Sequence, residues 1–199
     1  MCPLGKKVRW VGGCDVAYTK KNRPIFFAGV VVLDIEKMET TEAVFAKGEE
    51  RYPYIPGFLS FRELPVLLKA LKKIRHVPEV FIFDGQGIAH PQGLGLASHL
   101  GVLIDLPTVG CAKSKLVGDY QAFPPKRGAY EYLYFKRKKV GAEVCTKDRI
   151  KPLYVSPGHR IDILSGIRVV LLSCAEFRIS EPIRRAHILA TLARACEVN

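Results

Sequence analysis

The chain has 199 residues, 48% of them hydrophobic, enough for a folded core and too apolar for a disordered polar segment. No apolar run reaches the roughly 18 residues of a membrane span, no signal-type leader opens MCPLGKKVRW, and the six cysteines form no C-x-x-C pair, which speaks against a zinc ribbon or a thioredoxin-like redox site. The formal charge of +12, from 31 Lys and Arg against 19 Asp and Glu, suits a polyanionic partner such as nucleic acid, although many basic proteins bind none. With no internal repeat and no low-complexity linker, residues 1–199 read as one domain of a cytoplasmic protein with reduced thiols.

Three apolar, β-branched segments open the chain, over residues 8–18, 25–34 and 40–47, and their short connections predict an antiparallel meander. Residues 51–58, RYPYIPGF, follow. Pro53 and Pro56 fix their own φ and restrain the residues before them, while Gly57 lets the chain turn, so Tyr54 stands near the tip of a stiff loop beside Ile55. Phe61, Leu64, Leu67, Leu68, Leu71 and Ile74 recur at helical spacing over residues 60–74, with Pro65 near enough to the start to be tolerated. A buried strand over 79–84 ends abruptly at Asp84 and Gly85. The pattern then predicts a helix within 93–107, a strand over 108–112, a hairpin of 130–137 and 140–146, and a strand over 152–157. Helices over about 161–176 and 182–196 close the chain, the last with Pro182 in its first turn behind a Ser180 cap. The order is that of an α/β domain, a mixed central sheet flanked by helices.

Asp15 lies among apolar neighbours in the first strand, where a carboxylate is costly without a partner. Asp84 ends a buried strand, the position where α/β sheets tend to bind ligands. If those strands are neighbours, the two acids can share a divalent ion, and hard oxygen ligands favour magnesium or manganese over zinc. Each acid alone could equally bind loop amides. Ser60 to Glu63 matches the S-x-x-E capping box, so local pattern assigns the Glu63 carboxylate to the helix start. His187 in RRAHILA reads locally as an ordinary helical histidine, and Lys113 in GCAKSKL as a solvated lysine that could reach a phosphate.

Taken together, GGCDVAY (12–18), RYPYIPGFLSFRELP (51–65), FDGQGIAHPQGLGLASHLGVLIDLPTVGCAKSKL (83–116), YVSPGHRID (154–162) and FRISEPIRRAH (177–187) resemble endonuclease V. The resemblance implies an RNase H-like fold and Mg²⁺-dependent nicking of DNA at the second phosphodiester bond 3′ to deoxyinosine, with Mn²⁺ able to substitute. An inosine-specific ribonuclease on the same scaffold is the alternative, and a non-catalytic binding protein the remoter one. It places the metal-site acids on Asp15, Glu63 and Asp84, which overrides the capping assignment of Glu63, and the active-site lysine on Lys113. His187 falls where the family carries Asp or His, so its role is ligand, water-orienting group or general base. Gly57, Leu59, Gly85 and His90 are implied to line the base pocket, and Pro53, Tyr54, Ile55 and Pro56 to form a wedge that fills the space of the extruded base. A monomer is the family expectation. Lys69, Lys72, Lys73, Lys115, Lys126, Arg127, Lys136, Arg137, Lys138 and Lys139 are candidates for following the phosphate backbone.

Overall fold

The computed structural model describes residues 4, 7–20, 23–49, 52, 55 and 57–198. Strands β1 (Trp10–Tyr18), β2 (Ile25–Asp34) and β3 (Glu39–Glu49) form the antiparallel meander. Helix α1 (Leu59–Leu71), β4 (Val80–Phe83), α2 (Leu96–Ile104) and β5 (Thr108–Ala112) follow. The hairpin β6 (Tyr130–Phe135) and β7 (Lys138–Val144), β8 (Leu153–His159), α3 (Ile163–Ser173) and α4 (Glu181–Val198) complete the fold. All eight strands belong to one sheet in the order β3-β2-β1-β4-β5-β8-β7-β6. β4 runs parallel to β1 and to β5, and β8 antiparallel to β5, so the sheet is mixed.

One face of the sheet packs Cys14, Phe26 and Phe83 against Leu67 of α1 and Leu100 of α2. The other packs Val11, Ile82 and Val109 against Ile167 of α3 and Ile183 of α4. Helix α4 crosses β1 and β2 where these strands carry Gly13 and Gly29. A Cβ at either position would strike the backbone of Pro182 or Ala186, so the glycines let the helix lie directly on the strands. Among the described residues no helix is long and apolar enough to cross a membrane.

Several expected boundaries move. Helix α1 has Phe58 at its N-cap, with no side-chain capping bond. Ser60 therefore lies inside the helix, buried, with its hydroxyl 3.3 Å from His99 Nδ1, and the capping box does not form. Beyond Leu71 the bonds Lys73 N–H to Ala70 O and Ile74 N–H to Leu71 O tighten the final turn, ending the helix before residue 74. Gly93 takes φ +69° and Gly95 is extended, so α2 starts at Leu96 rather than 93. Its end is set by Asp105 in the left-handed region. Asp162 caps α3 by accepting a hydrogen bond from Ser165 N at 2.7 Å. Ser180 does stand just before α4, but its buried hydroxyl makes no capping bond.

Candidate active site

The parallel pairing of β1 with β4 sets Cys14 opposite Phe83. The next residue on each strand is an acid, and Asp84 N lies 3.4 Å from Cys14 O, so Asp15 and Asp84 come side by side at the carboxyl edge of the sheet. Lys113 occupies the residue after β5, the strand beside β4, and its ammonium donates to Asp84 Oδ2. From the opposite face, α4 brings His187 Nδ1 to 2.5 Å from Asp15 Oδ2. The first turns of α1 bring Glu63 within range of both aspartates' charge. Five residues spread from position 15 to position 187 thus meet at one edge.

The acids repel one another in a poorly hydrated setting. Burial, reinforced by the charges of Asp15 and Asp84, pushes the Glu63 carboxyl up to about 8. Burial and the Asp84 charge also raise Asp15, against the lowering effect of its His187 hydrogen bond. Burial opposes the Lys113 charge, but the hydrogen bond to Asp84 and the charges of Asp84 and Asp15 outweigh it and raise the lysine. Among the described residues no three His, Cys, Asp or Glu side chains are arranged to hold a metal ion, since Asp84 is turned to Lys113 and Asp15 to His187. The donor set nevertheless fits a hard divalent cation: three carboxylates, two of them raised by burial and by their neighbours' charge, are the groups that such an ion would stabilise.

Beside the acids lies a cavity of about 380 Å³ lined by Gly57, Leu59, Gly85 and His90, with Asp84 and Lys113 also in its wall. Its volume is within the range of small-ligand sites. The 85–95 loop that forms its floor is seated on β8: Gly87 N donates to Ser156 Oγ at 2.7 Å, and Ile88 N to Pro157 O at 2.8 Å. A Cβ at Gly87 would collide with the Pro157 backbone, so only glycine permits this approach. Burial holds His90 below the ordinary histidine range, partly offset by a hydrogen bond to the Gly57 backbone that ties the two loops together.

The family profile of Endonuclease V matches residues 3–188. The chain belongs to the endonuclease V family. It is 45% identical over 195 residues to the Endonuclease V of Dictyoglomus thermophilum, a match covering 98% of this chain and 84% of that protein. The crystal structure of Endonuclease V from Streptomyces avermitilis superposes with a TM-score of 0.91 at 38% identity, over 100% of this chain and 86% of that one. Endonuclease V of Ciona intestinalis, solved with a DNA containing an inosine followed by a ribo-adenosine, gives 0.83 at 28% identity over 99% and 90% of the two chains. Membership makes the chain a nuclease, a hydrolase of phosphodiester bonds acting in DNA repair.

Within the endonuclease V site, two polar side chains that residue pattern alone does not single out hold the segment carrying Lys113. Arg178 Nη2 donates to Lys113 O at 3.2 Å and to Pro152 O at 2.7 Å, and Gln86 Nε2 donates to Ser114 O at 3.1 Å. Both lie in segments that carry the family resemblance, and each is a polar residue among apolar neighbours, the one signal that could have marked them. Of the wedge, Ile55 is exposed, while Pro53, Tyr54 and Pro56 lie outside the described residues. Among the candidate backbone-following residues, Lys115 lines the cavity, whereas Lys73 is turned to the Phe45 carbonyl at 2.8 Å.

Proposed function

We propose that the chain nicks DNA at the second phosphodiester bond 3′ to deoxyinosine, leaving a 3′-hydroxyl and a 5′-phosphate. The observation that carries this is that the base-sized cavity and the acid cluster share Asp84 and Lys113 in one wall, so a base seated in the cavity brings its own backbone toward the acids. Gly57, Leu59, Gly85 and His90 receive the extruded base. Backbone amides aimed at O6 of hypoxanthine reject adenine, which presents an amino group there. Tyr54, which the sequence sets between Pro53 and Pro56 next to Ile55, is the residue that would fill the gap the base leaves, since prolines on both sides restrict the backbone and so limit the entropy lost on insertion.

Asp15, Glu63 and Asp84 are the residues that would hold Mg²⁺, or Mn²⁺ in its place. Such an ion, when bound, supplies a Lewis acid for the phosphate and an acidified water. Asp15 accepts from His187 Nδ1, which leaves Nε2 to take a proton from the attacking water. Lys113 offers its positive charge to the phosphoryl oxygens beside Asp84. The reading includes a single domain over residues 1–199, a monomer, and a cytoplasmic location.

Paired DNA and RNA oligonucleotides carrying one inosine, assayed with Mg²⁺ and with the cut mapped, test it. Cleavage of the DNA one nucleotide beyond the lesion's own 3′ phosphate is the expected result. Tenfold faster cutting of the RNA would transfer the assignment to an inosine-specific ribonuclease.

A further inference from the structure

We propose that the outer face of the β6–β7 hairpin, with the lip of the cavity beside it, is a binding track for a single-stranded stretch of polynucleotide flanking the cleavage site. This deepens the assignment of the cleft and rests on nucleic acid being its substrate. β6 is the last strand of the sheet and carries Tyr130, 37% exposed, and Tyr134, 44% exposed, on either side of Tyr132, which packs partly against the core beneath α3. Tyr130 and Tyr132 stand edge to face, with ring centres 5.5 Å apart. Lys139 from the paired strand puts its ammonium 4.0 Å from the Tyr132 ring centre and 5.9 Å from that of Tyr134, which fixes all three groups on one side of the hairpin. Residues 126–139 hold six Lys and Arg against the single acid Glu131.

Lysines alone would be explained as the charges that keep an edge strand from pairing with another chain. Exposed tyrosines in the same row work against that purpose. Alternating rings and cations are instead what single strands require, since each base offers a face for stacking and each linkage a negative charge.

The row also starts near the site. The register Ala112 to Tyr154, Tyr154 to Glu143 and Glu143 to Glu131 places the start of β6 three strand spacings from the residue before Lys113, roughly 14 Å. On the outer edge of β6, Asp119 pairs with Tyr134 in an isolated bridge, and its carboxylate stands 3.7 Å from the Lys115 ammonium. Lys115, in the cavity wall, lies 5.3 Å over the Tyr120 ring. One cation–ring pair therefore stands at the cavity lip, with Tyr120 against Tyr154, and a second group at the sheet edge. There Tyr132 lies on the other side of the sheet, so a strand using both passes around the edge.

The test is binding of labelled oligothymidylate and oligouridylate without inosine, in EDTA, to the unaltered chain and to Tyr134→Ala, Tyr134→Phe, Tyr130→Ala and Lys139→Gln. Each alanine variant is expected to lose about 5-fold or more in affinity, the loss of one stacked base. Tyr134→Phe should bind as the unaltered chain does. Lys139→Gln should lower the slope of log K against log salt by about 0.7. Melting temperatures and cutting of an inosine oligonucleotide too short to reach β6 should not change. The tighter of the two homopolymers names the natural strand. Binding that depends on these residues supports the track whether or not inosine strands are cut. Affinities and salt slopes equal to those of the unaltered chain overturn it, and leave inosine cleavage as the separate test of the cleft.

Discussion

Asp15 Oδ2 and His187 Nδ1 stand 2.5 Å apart although 172 positions separate them. The contact depends on Gly13 and Gly29, which let α4 lie against β1 and β2 closely enough for a side chain on the helix to reach one on the strand. A carboxylate that accepts from Nδ1 fixes the imidazole tautomer and turns Nε2 into the basic nitrogen.

His187→Gln should therefore lower the single-turnover cleavage rate by about 10²-fold or more, the usual worth of a positioned base. Affinity for inosine DNA in Ca²⁺ should hold. A rate within a factor of two of the unaltered enzyme would remove the imidazole from proton transfer.

Glu63 gives a pH dependence with a definite sign. Its folded value of about 8 lies above the 4.5 of an ordinary glutamate. Between those values the folded chain keeps a proton that the unfolded chain has lost, so metal-free stability is full at low pH and falls as pH rises through this window. Glu63→Gln removes the titration. In EDTA its melting temperature should exceed that of the unaltered chain by a margin that grows from about pH 5 to about pH 8. Adding Ca²⁺ at the alkaline end should raise the unaltered chain alone. Parallel melting curves at every pH would contradict the crowded-carboxylate picture.

Asp84 and Lys113 are hydrogen-bonded to each other and both face the cavity. Asp84→Ala should abolish cleavage while inosine binding in Ca²⁺ survives. Lys113→Met should cut the rate by about 10²-fold. Persistent cleavage by Asp84→Ala would take that acid out of the mechanism.

Tyr54→Ala should erode the preference for inosine over undamaged strands more than it affects cation binding. Cleavage of matched inosine and adenosine duplexes reads the first, and Ca²⁺-induced stabilisation the second. Unchanged selectivity would end the wedge assignment.

Much of the fold was legible because the strands are apolar runs broken by turn residues, and the β6–β7 pair is recognisable from its residue pattern alone. Its tip lies two residues earlier than expected, at Lys136 and Arg137, which both take positive φ. A run of Lys and Arg holds no Gly or Asn to mark the turn. Asp84 could be placed at a strand end because Phe83 is buried and Gly85 cannot extend the apolar run. Ser60 was misassigned for an opposite reason. Its S-x-x-E spacing describes a cap only if the helix begins there, and α1 begins earlier, with Ser60 turned inward to His99 of a helix that comes much later in the chain. The roles of Arg178 and Gln86 could not be read from sequence because their partners are carbonyl groups, which every residue has, so only the folded path of the chain selects them.

The acids Asp15 and Asp84 owe their adjacency to a ladder whose last pair is Cys14 with Phe83. Side chains on a strand alternate between faces, so one residue gained or lost within the four of β4 would turn Asp84 away from Asp15. Glu79, just before β4, extends the tie to β1, its N donating to Trp10 O at 3.1 Å and its carboxylate accepting from Trp10 N at 2.7 Å. Before it, Arg75 N and His76 N donate to the Glu42 carboxylate, which leaves only Val77 and Pro78 free to change in number without shifting β4 against β1. Tolerance to insertion should therefore switch from permissive to forbidding between Pro78 and Glu79, where the tie to β1 begins.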